Sequence, residues 1–402
     1  MRYDFDSICD RTRTDCVKWD GAAAIFGCDD IIPLWVADMD FPAAQPIIEA
    51  LDRRAAHGVY GYTRPGPGVV AAVVERMQRR FNWKIEPEWV VFTPGVIPAL
   101  HTAVRAFTHP GDEVILQPPV YYPFYPAVKS SGCQVACNPL RRVNGRYEMD
   151  FENLEACFTI EYGLRTLTGR ARAIILCNPH NPVGRVWRPE ELARLGEIML
   201  RRGVLVIADE IHCELLFRGQ RHTPFASLSE AFAQNCVVCM APSKTFNLAG
   251  LGISSIIIPN RRLRQQFTSA GSGIMPPPNL FGYTALEAAY RHGDEWLEQL
   301  LDYLQGNLDY TLSYFAERIP RIKVSPPEGT YLVWLDCRGL GLDDRALRDF
   351  MREKARVGFD DGYIFGPGGS GFQRMNIACP RAVLTEAFGR IEAAVNELGE
   401  GN

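Results

Sequence analysis

The sequence predicts an α/β protein with a mostly parallel central sheet and a second, smaller α+β domain. A chain of 402 residues is too long for one ordinary core, since a domain takes about 150 residues. The middle of the chain alternates short apolar runs with helical patterns, as a parallel α/β sheet requires. Strand patterns separated by helices follow in the last hundred residues, which predicts the second domain.

Short apolar runs give the strands of the large sheet. They are short enough to be strands buried on both faces, and they lie at residues 114–116, 173–177, 204–208 and 237–240. A helix is predicted between the second and the third. Pro189 suits its first turn, two glutamates and two arginines complement its ends, and Gly203 can stop it.

The carboxyl-terminal part predicts a smaller sheet from residues 323–324, 331–335 and 372–377. Its last helix carries apolar residues from Leu384 to Leu398 at helical spacing. We therefore expect an amino-terminal segment (1–50) that packs against the small domain, a large domain (51–290) and a small carboxyl-terminal domain (291–402).

Charge and cysteine content exclude several functional classes. The net charge of −4 provides no basic field for nucleic acid or an anionic membrane. The longest stretch without charged residues, Thr268 to Leu286, contains three prolines and cannot span a bilayer as one helix. The first residues lack an apolar signal core, so we expect a cytoplasmic protein whose twelve cysteines are reduced. Cys236 and Cys239 have metal-site spacing, but on a strand they face opposite ways, which favours a buried structural role and no metal.

Three polar motifs follow predicted strands, at the sheet edge where such folds bind ligands. Asp209 ends an apolar run, where it needs a positive or protonated partner unless it merely caps a helix. Lys244 follows another apolar run without a neighbouring charge. Such a lysine suits Schiff-base chemistry, although a lone lysine is more often a surface residue. Asn181 lies in a loop with two Asn-Pro pairs, where a structural turn explains the prolines but not the asparagine.

Together these motifs, Asn-Pro-x-Asn-Pro-x-Gly, Asp-Glu-Ile-His and Ser-Lys-Thr-Phe-Asn, resemble those of the pyridoxal-phosphate enzymes of aspartate aminotransferase fold type (fold type I). More narrowly, the chain resembles the bacterial cystathionine β-lyase (C–S lyase) branch, which includes the maltose-regulon modulator. The stretches that indicate this branch begin at Trp35, His57, Asp209 and Glu328. The similarity extends almost from end to end.

The resemblance implies pyridoxal 5'-phosphate as cofactor and assigns its binding residues. Lys244 would form the Schiff base, Asp209 would pair with the pyridine nitrogen and Asn181 would bind the phenolic oxygen. Tyr121 would stack on the ring, although its Pro-rich loop alone indicates only an ordinary aromatic residue. Backbone amides at a helix start would bind the phosphate. The remaining implied members of the cofactor site are Gly95, Val96, Ile97, His212 and Ser243.

The resemblance further implies a homodimer with shared active sites, in which Tyr62 reaches the phosphate of the other subunit. The substrate would be a small amino-acid thioether, with its α-carboxylate bound by Arg374 and further contacts from Ala37 and Asn181. The chain departs from the aminotransferase pattern at Gly252, where an arginine often binds phosphate, and at Ala241, often a serine. The phosphate would then depend on Ser243, amides and Tyr62.

The resemblance favours a β-lyase that cleaves cystathionine or related cysteine conjugates to a thiol, pyruvate and ammonia. An aminotransferase on the same scaffold is the first alternative, and His212 stands where aminotransferases usually carry tyrosine. A regulatory protein that binds another protein is the third possibility, for which no dedicated partner segment is visible.

Overall fold

The computed structural model describes residues 2–156, 158 and 171–400. Its strands are β1 (Ile32–Pro33), β2 (Val90–Thr93), β3 (Glu113–Leu116), β4 (Gln134–Cys137), β5 (Arg141–Val143), β6 (Arg146–Glu148), β7 (Ala171–Cys177), β8 (Leu205–Asp209), β9 (Cys236–Met240), β10 (Ser254–Ile257), β11 (Lys323–Ser325), β12 (Leu332–Asp336), β13 (Val357–Gly358), β14 (Asp360–Asp361) and β15 (Phe372–Asn376).

The α-helices surround these strands and connect them. They are α1 (Ala22–Phe26), α2 (Gln45–Ala56), α3 (Pro67–Phe81), α4 (Val96–Phe107), α5 (Phe124–Lys129), α6 (Phe151–Ala156), α7 (Pro189–Arg202), α8 (Glu230–Ala233), α9 (Pro242–Thr245), α10 (Arg261–Gly271), α11 (Leu280–His292), α12 (Asp294–Arg318), α13 (Asp344–Asp349) and α14 (Arg381–Glu400). Among the described helices, none combines the length and apolar character needed to cross a bilayer.

The central sheet has seven strands in the order β2-β10-β9-β8-β7-β3-β4. The four predicted strands all lie in it, as β3, β7, β8 and β9, and each pairs in parallel with its sheet neighbour among them. The mostly parallel sheet is therefore confirmed. Strand β10 runs antiparallel to both of its neighbours and brings β2 to the edge, a feature that was not predicted.

The helix predicted between β7 and β8 is α7, and it has the expected ends. Pro189 occupies its first turn, and Gly203 ends it with a left-handed φ of 66°. Residues at helical spacing bury one face of α7 against the sheet, namely Leu192, Leu195, Ile198 and Met199. Burying each such side chain contributes about 1.5–3 kcal/mol. Cys236 and Cys239 are also fully buried and carry no disulfide.

A second sheet, antiparallel and ordered β11-β12-β15-β14, forms in the carboxyl-terminal part. It contains the three strands predicted there. The amino-terminal segment packs against this part, because Ile32 of β1 pairs in parallel with Val357 of β13.

A buried ionic network holds the chain just after β1. One carboxylate oxygen of Asp40 accepts from Lys18 Nζ at 2.8 Å, and the other accepts from Arg11 at 2.7 Å and Trp19 Nε1 at 2.9 Å. Lys18 is completely buried, and a buried charge needs such a partner. The network ties the first twenty residues to the segment that contains Ala37.

Candidate active site

The strand register brings the three polar motifs together at one edge of the central sheet. Asp209, the last residue of β8, is aligned with Cys177 of β7 on one side and Cys239 of β9 on the other. The loops that follow these parallel strands therefore leave the sheet side by side. They carry Asn181 after β7, His212 after β8 and Lys244 after β9, at the position where open α/β sheets bind ligands.

A cavity of about 170 Å³ opens at this edge. Of the predicted site residues, ten line it: Ala37, Gly95, Val96, Ile97, Tyr121, Asn181, Asp209, His212, Ser243 and Lys244. Residues from the amino-terminal segment, the start of α4 and four strand-end loops thus meet in one place. The sequence motifs converge as predicted, while the chemical role of each residue stays a prediction.

Lys244 lies on the short helix α9, directly after buried β9. Its Nζ donates a hydrogen bond to the carbonyl oxygen of Ala37 at 2.6 Å. Desolvation by the surrounding protein, followed by the positive charge of Arg374, lowers the pKa of Lys244 to about 8. About a tenth of this amine is therefore unprotonated at pH 7, far more than for an ordinary lysine, and a nucleophile or a base must be unprotonated.

Asp209 is buried, and its Oδ1 accepts from the backbone N–H of Ile211 at 3.2 Å. Burial raises the pKa of Asp209 to about 7. A carboxylate in such a site is suited to a cationic or protonated group that enters the cavity. His212 lies beside it, and burial holds the pKa of this imidazole well below its usual range, so the ring is neutral.

Asn181 connects the cavity to the second sheet. Its side-chain oxygen accepts from Arg374 Nη1 at 2.9 Å, so its amide nitrogen is the group that can donate to a ligand. The backbone oxygen of Asn181 accepts from the N–H of Tyr121 at 3.0 Å, and burial raises the pKa of the Tyr121 hydroxyl. The loop after β7 therefore fixes both residues, and both of its Asn-Pro bonds are cis.

The amino terminus of α4 supplies the donors for an anion. Gly95 precedes the helix with a φ of 153°, and Val96 and Ile97 form its first turn. Amides of a first turn have no partner within the helix, and the helix dipole adds partial positive charge. Ser243 and Gly252 complete this side of the cavity. Gly252 has no side chain at the position where the resemblance would place an arginine, so this residue supplies no cation to the cavity.

Two of the predicted site residues do not line the cavity. Tyr62 is fully exposed in the single chain, within the extended segment between α2 and α3. Arg374 is buried on β15 and reaches the cavity through Asn181. It also pairs with the carboxylate of Asp360 on β14, a contact that the sequence analysis missed.

Tyr331 was also missed as a site residue. This buried tyrosine donates through its hydroxyl to the Ala37 carbonyl oxygen at 2.9 Å, the same atom that binds Lys244. It lies in the stretch after Glu328 that indicated the family branch, but no residue pattern revealed its partner. The cavity-lining thiol Cys177 was missed as well, and it accepts from the backbone N–H of Asn181 at 3.3 Å.

The residues of the cavity fit pyridoxal 5'-phosphate by their chemistry. They combine an amine with a lowered pKa, a buried carboxylate for a protonated ring nitrogen, a free amide donor and a helix start for a phosphate. His212 adds a buried ring nitrogen, Nδ1, that has no partner among the described residues. Across the described part of the chain, no cluster of three or more His, Cys, Asp or Glu side chains is arranged to bind a metal ion.

Comparison with known proteins identifies the family. The family model "Aminotransferase class I and II" matches residues 29–391. The chain belongs to this family. The solved structure of cystalysin from Treponema denticola, which contains a pyridoxal 5'-phosphate cofactor, is similar with a TM-score of 0.94. Its sequence is 38% identical, and the match covers 99% of this chain and 100% of the other.

Two relatives within the family match over their whole length. Cystathionine beta-lyase PatB of Bacillus subtilis is 45% identical over 396 residues, which cover 98% of this chain and 100% of the relative. Protein MalY of Escherichia coli is 33% identical, with coverage of 98% and 100%. The predicted fold and the predicted cystathionine β-lyase branch of the family are both confirmed.

Proposed function

We propose that this protein is a pyridoxal-phosphate-dependent C–S β-lyase that cleaves cystathionine or related cysteine conjugates to a thiol, pyruvate and ammonia. The observation that carries the proposal is the placement of Lys244 and Asp209 in one cavity, with a lysine pKa of about 8 and an aspartate pKa of about 7. The similarity to the cystathionine beta-lyase PatB, at 45% identity over nearly the whole chain, supports the reaction type.

Nine of the ten predicted residues that line the cavity have a proposed task in holding the cofactor. Lys244 would bind its aldehyde, Asp209 its ring nitrogen and Asn181 its phenolic oxygen. Tyr121 would cover the ring. The amides of Gly95, Val96 and Ile97, with the hydroxyl of Ser243, would hold the phosphate, and His212 would line the ring pocket. When bound, pyridoxal phosphate supplies an electron sink for charge that develops at the substrate α-carbon.

The protein residues then position the substrate and move its protons. Arg374 would bind the α-carboxylate with help from Asn181, and the backbone at Ala37 would contact the substrate. The Lys244 amine, once exchanged for the substrate amine, would take the α-proton as general base, which its lowered pKa permits. The C–S bond then breaks, and the sulfur leaves as a thiol with one proton. Hydrolysis of the remaining three-carbon fragment yields pyruvate and ammonia.

We also propose that the enzyme is a homodimer in which Tyr62 of a second copy completes the phosphate site. The full exposure of Tyr62 in the single chain supports this, since a tyrosine at the surface is available to another subunit. We also propose that the chain is divided into an amino-terminal segment (1–50), a large domain (51–290) and a small domain (291–402). We further propose that the protein is located in the cytoplasm. The second boundary falls two residues before the end of α11 at His292, close to the start of α12 at Asp294.

Product analysis tests the reaction. With cystathionine as the sole substrate, we expect homocysteine, pyruvate and ammonia in equal amounts over many turnovers, without an added keto acid. An aminotransferase would stop after one turnover and resume only when a keto acid is supplied. Strict dependence on a keto acid, with no thiol released, would contradict the lyase proposal and favour the aminotransferase.

A further inference from the structure

Arg374, proposed above to bind the substrate carboxylate, already holds a carboxylate of the protein itself. It lies on β15 directly opposite Asp360 of β14 in the antiparallel register. Both side chains are buried, with exposed fractions of 2% and 7%. Nη2 of Arg374 donates to Oδ2 of Asp360 and to the carbonyl oxygen of Trp35 at 3.2 Å. Nη1 donates to the side-chain oxygen of Asn181 at 2.9 Å.

The geometry of a guanidinium determines what remains for a ligand. A guanidinium can donate two parallel N–H hydrogen bonds to one carboxylate through only two of its edges. These are the Nε/Nη2 edge and the Nη1/Nη2 edge. Both edges include Nη2, and the two Nη2 hydrogens of Arg374 are engaged by Asp360 and Trp35. Nε is buried and has no partner within the described residues. A carboxylate can therefore bind Arg374 through two bonds only if Nη2 releases one of its present partners.

Among these partners of Arg374, Asp360 has the largest electrostatic effect on the binding of a second carboxylate. Its negative charge neutralises Arg374 within a buried site, where attraction between charges is less screened than at the surface. In the described structure, the other close partners of Arg374 are neutral: the Asn181 amide, the Trp35 carbonyl and the ring of Phe365 below the guanidinium at 5.0 Å. An incoming carboxylate meets a cation whose charge is already compensated.

We propose that Asp360 sets the affinity of this site for carboxylates, as a resident carboxylate that competes with the substrate α-carboxylate for Arg374. The inference rests on the proposed function in one respect, namely that Arg374 receives the substrate carboxylate. Binding of an amino acid then exchanges one carboxylate for another on Nη2. Asp360 weakens the capture of every substrate that carries an α-carboxylate, and it keeps Arg374 compensated when no substrate is bound.

If Asp360 only orients Arg374, removing its charge should weaken the binding of a carboxylate. If Asp360 competes for Arg374, the same change should strengthen it. The direction of the change in carboxylate affinity therefore separates the two roles. Asp360→Asn preserves the size of the side chain and an oxygen that can accept from Nη2, but removes the competing charge. Asp361→Asn is the matched control, because the neighbouring Asp361 bonds to Arg352 and Gln373 and not to Arg374. The holoenzyme forms of the wild type, Asp360→Asn and Asp361→Asn are titrated by calorimetry with propionate, a bare carboxylate. The same proteins are titrated with propionamide, its neutral analogue.

We expect Asp360→Asn to bind propionate about ten-fold more tightly than the wild type, the scale of one hydrogen bond to a charged group. Propionamide binding and the Asp361→Asn variant should be unchanged. In turnover, the KM for cystathionine should fall by a similar factor while kcat changes little. Unchanged or weaker propionate binding by Asp360→Asn would overturn the inference.

Further arms separate this inference from the proposed function. If Arg374→Lys does not weaken propionate binding, the carboxylate site itself is misassigned. If Arg374→Lys weakens propionate binding but Asp360→Asn does not strengthen it, only the role of Asp360 is wrong.

Removing a buried counter-charge can also destabilise the fold. Thermal melting therefore provides a second measurement, in which propionate should raise the Tm of Asp360→Asn, or of Asp360→Ser, more than that of the wild type. An equal or smaller rise would count against the competition.

Discussion

The Nζ atom of Lys244 lies 2.6 Å from the carbonyl oxygen of Ala37. The two residues are 207 positions apart in the chain, and Tyr331 donates to the same oxygen at 2.9 Å. One backbone carbonyl therefore holds both the amine that we expect to do the chemistry and a buried phenol. This carbonyl keeps the amine at the cavity when the amine is not bonded to anything else.

The first prediction concerns the point of cofactor attachment. Borohydride reduction of the yellow holoenzyme, followed by peptide mapping, should locate the cofactor on Lys244, and Lys244→Ala should lose the attachment. The reason is the solvent-poor setting of this lysine, which lowers its pKa to about 8. Lys129, which is exposed on the surface, provides the control variant Lys129→Ala. Labelling of any other lysine would exclude the assignment.

The second prediction is a pH dependence. Only the unprotonated amine attacks an aldehyde, so the rate at which the apo-protein binds pyridoxal phosphate should rise through about pH 8 and then level off. An ordinary lysine would keep gaining rate to beyond about pH 10. Stopped-flow absorbance across this range measures the midpoint. A midpoint close to that of an exposed lysine would show that the cavity does not desolvate Lys244.

The third prediction separates stability from function at Asp209. Because burial raises the pKa of this carboxyl to about 7, its ionised form destabilises the folded apo-protein above that pH. Apo Asp209→Asn should therefore be more stable than the wild type at pH 8, by on the order of 2–4 kcal/mol. The difference should shrink as the pH falls from about 7 toward about 4, where both states carry the proton.

Cofactor affinity of the same variant should change in the other direction, because asparagine cannot hold a protonated ring nitrogen by charge. Denaturant unfolding of the apo-protein and cofactor titration measure the two effects separately. A variant that is less stable at pH 8, or that binds the cofactor as well as the wild type, would disagree with the role given to Asp209.

The fourth prediction tests shared active sites. If Tyr62 serves the second subunit, mixing Lys244→Ala chains with Tyr62→Phe chains creates hybrid dimers that keep one site with both residues intact. Random exchange should restore about a quarter of the wild-type activity, since half of the dimers are hybrids with one active site each. Activity no greater than the sum of the separate variants, under conditions where hybrids are shown to form, would argue that each site is built from one chain.

Much of the site follows from local sequence because its residues stand directly after buried strands. Once β7, β8 and β9 are parallel neighbours, Asn181, Asp209 and Lys244 must come together. The partners that each residue finds could not be obtained in this way. Asp360 meets Arg374 only through the register of β14 on β15, and Tyr331 reaches Ala37 across 294 positions.

The fold shows the same division between local and distant information. The apolar runs and the helix ends of α7 were visible, because they depend on neighbouring residues. The antiparallel direction of β10 could not be predicted from the sequence. The direction of a strand is set by the connection that precedes it and not by its own composition. Tyr62 was assigned by resemblance alone, and its exposed segment carries no residue pattern that reveals a partner.

The parallel pairing of Ile32 with Val357 has a consequence for folding during synthesis on the ribosome. Ala37 follows this pairing by five positions, so the carbonyl that receives Lys244 is placed only after residue 357 is available. On the ribosome the central sheet is complete at Ile257, about a hundred residues earlier. Synthesis therefore passes through an interval in which the strands of the central sheet, Asp209 and Lys244 have been made but Val357, the partner of Ile32 just before Ala37, has not.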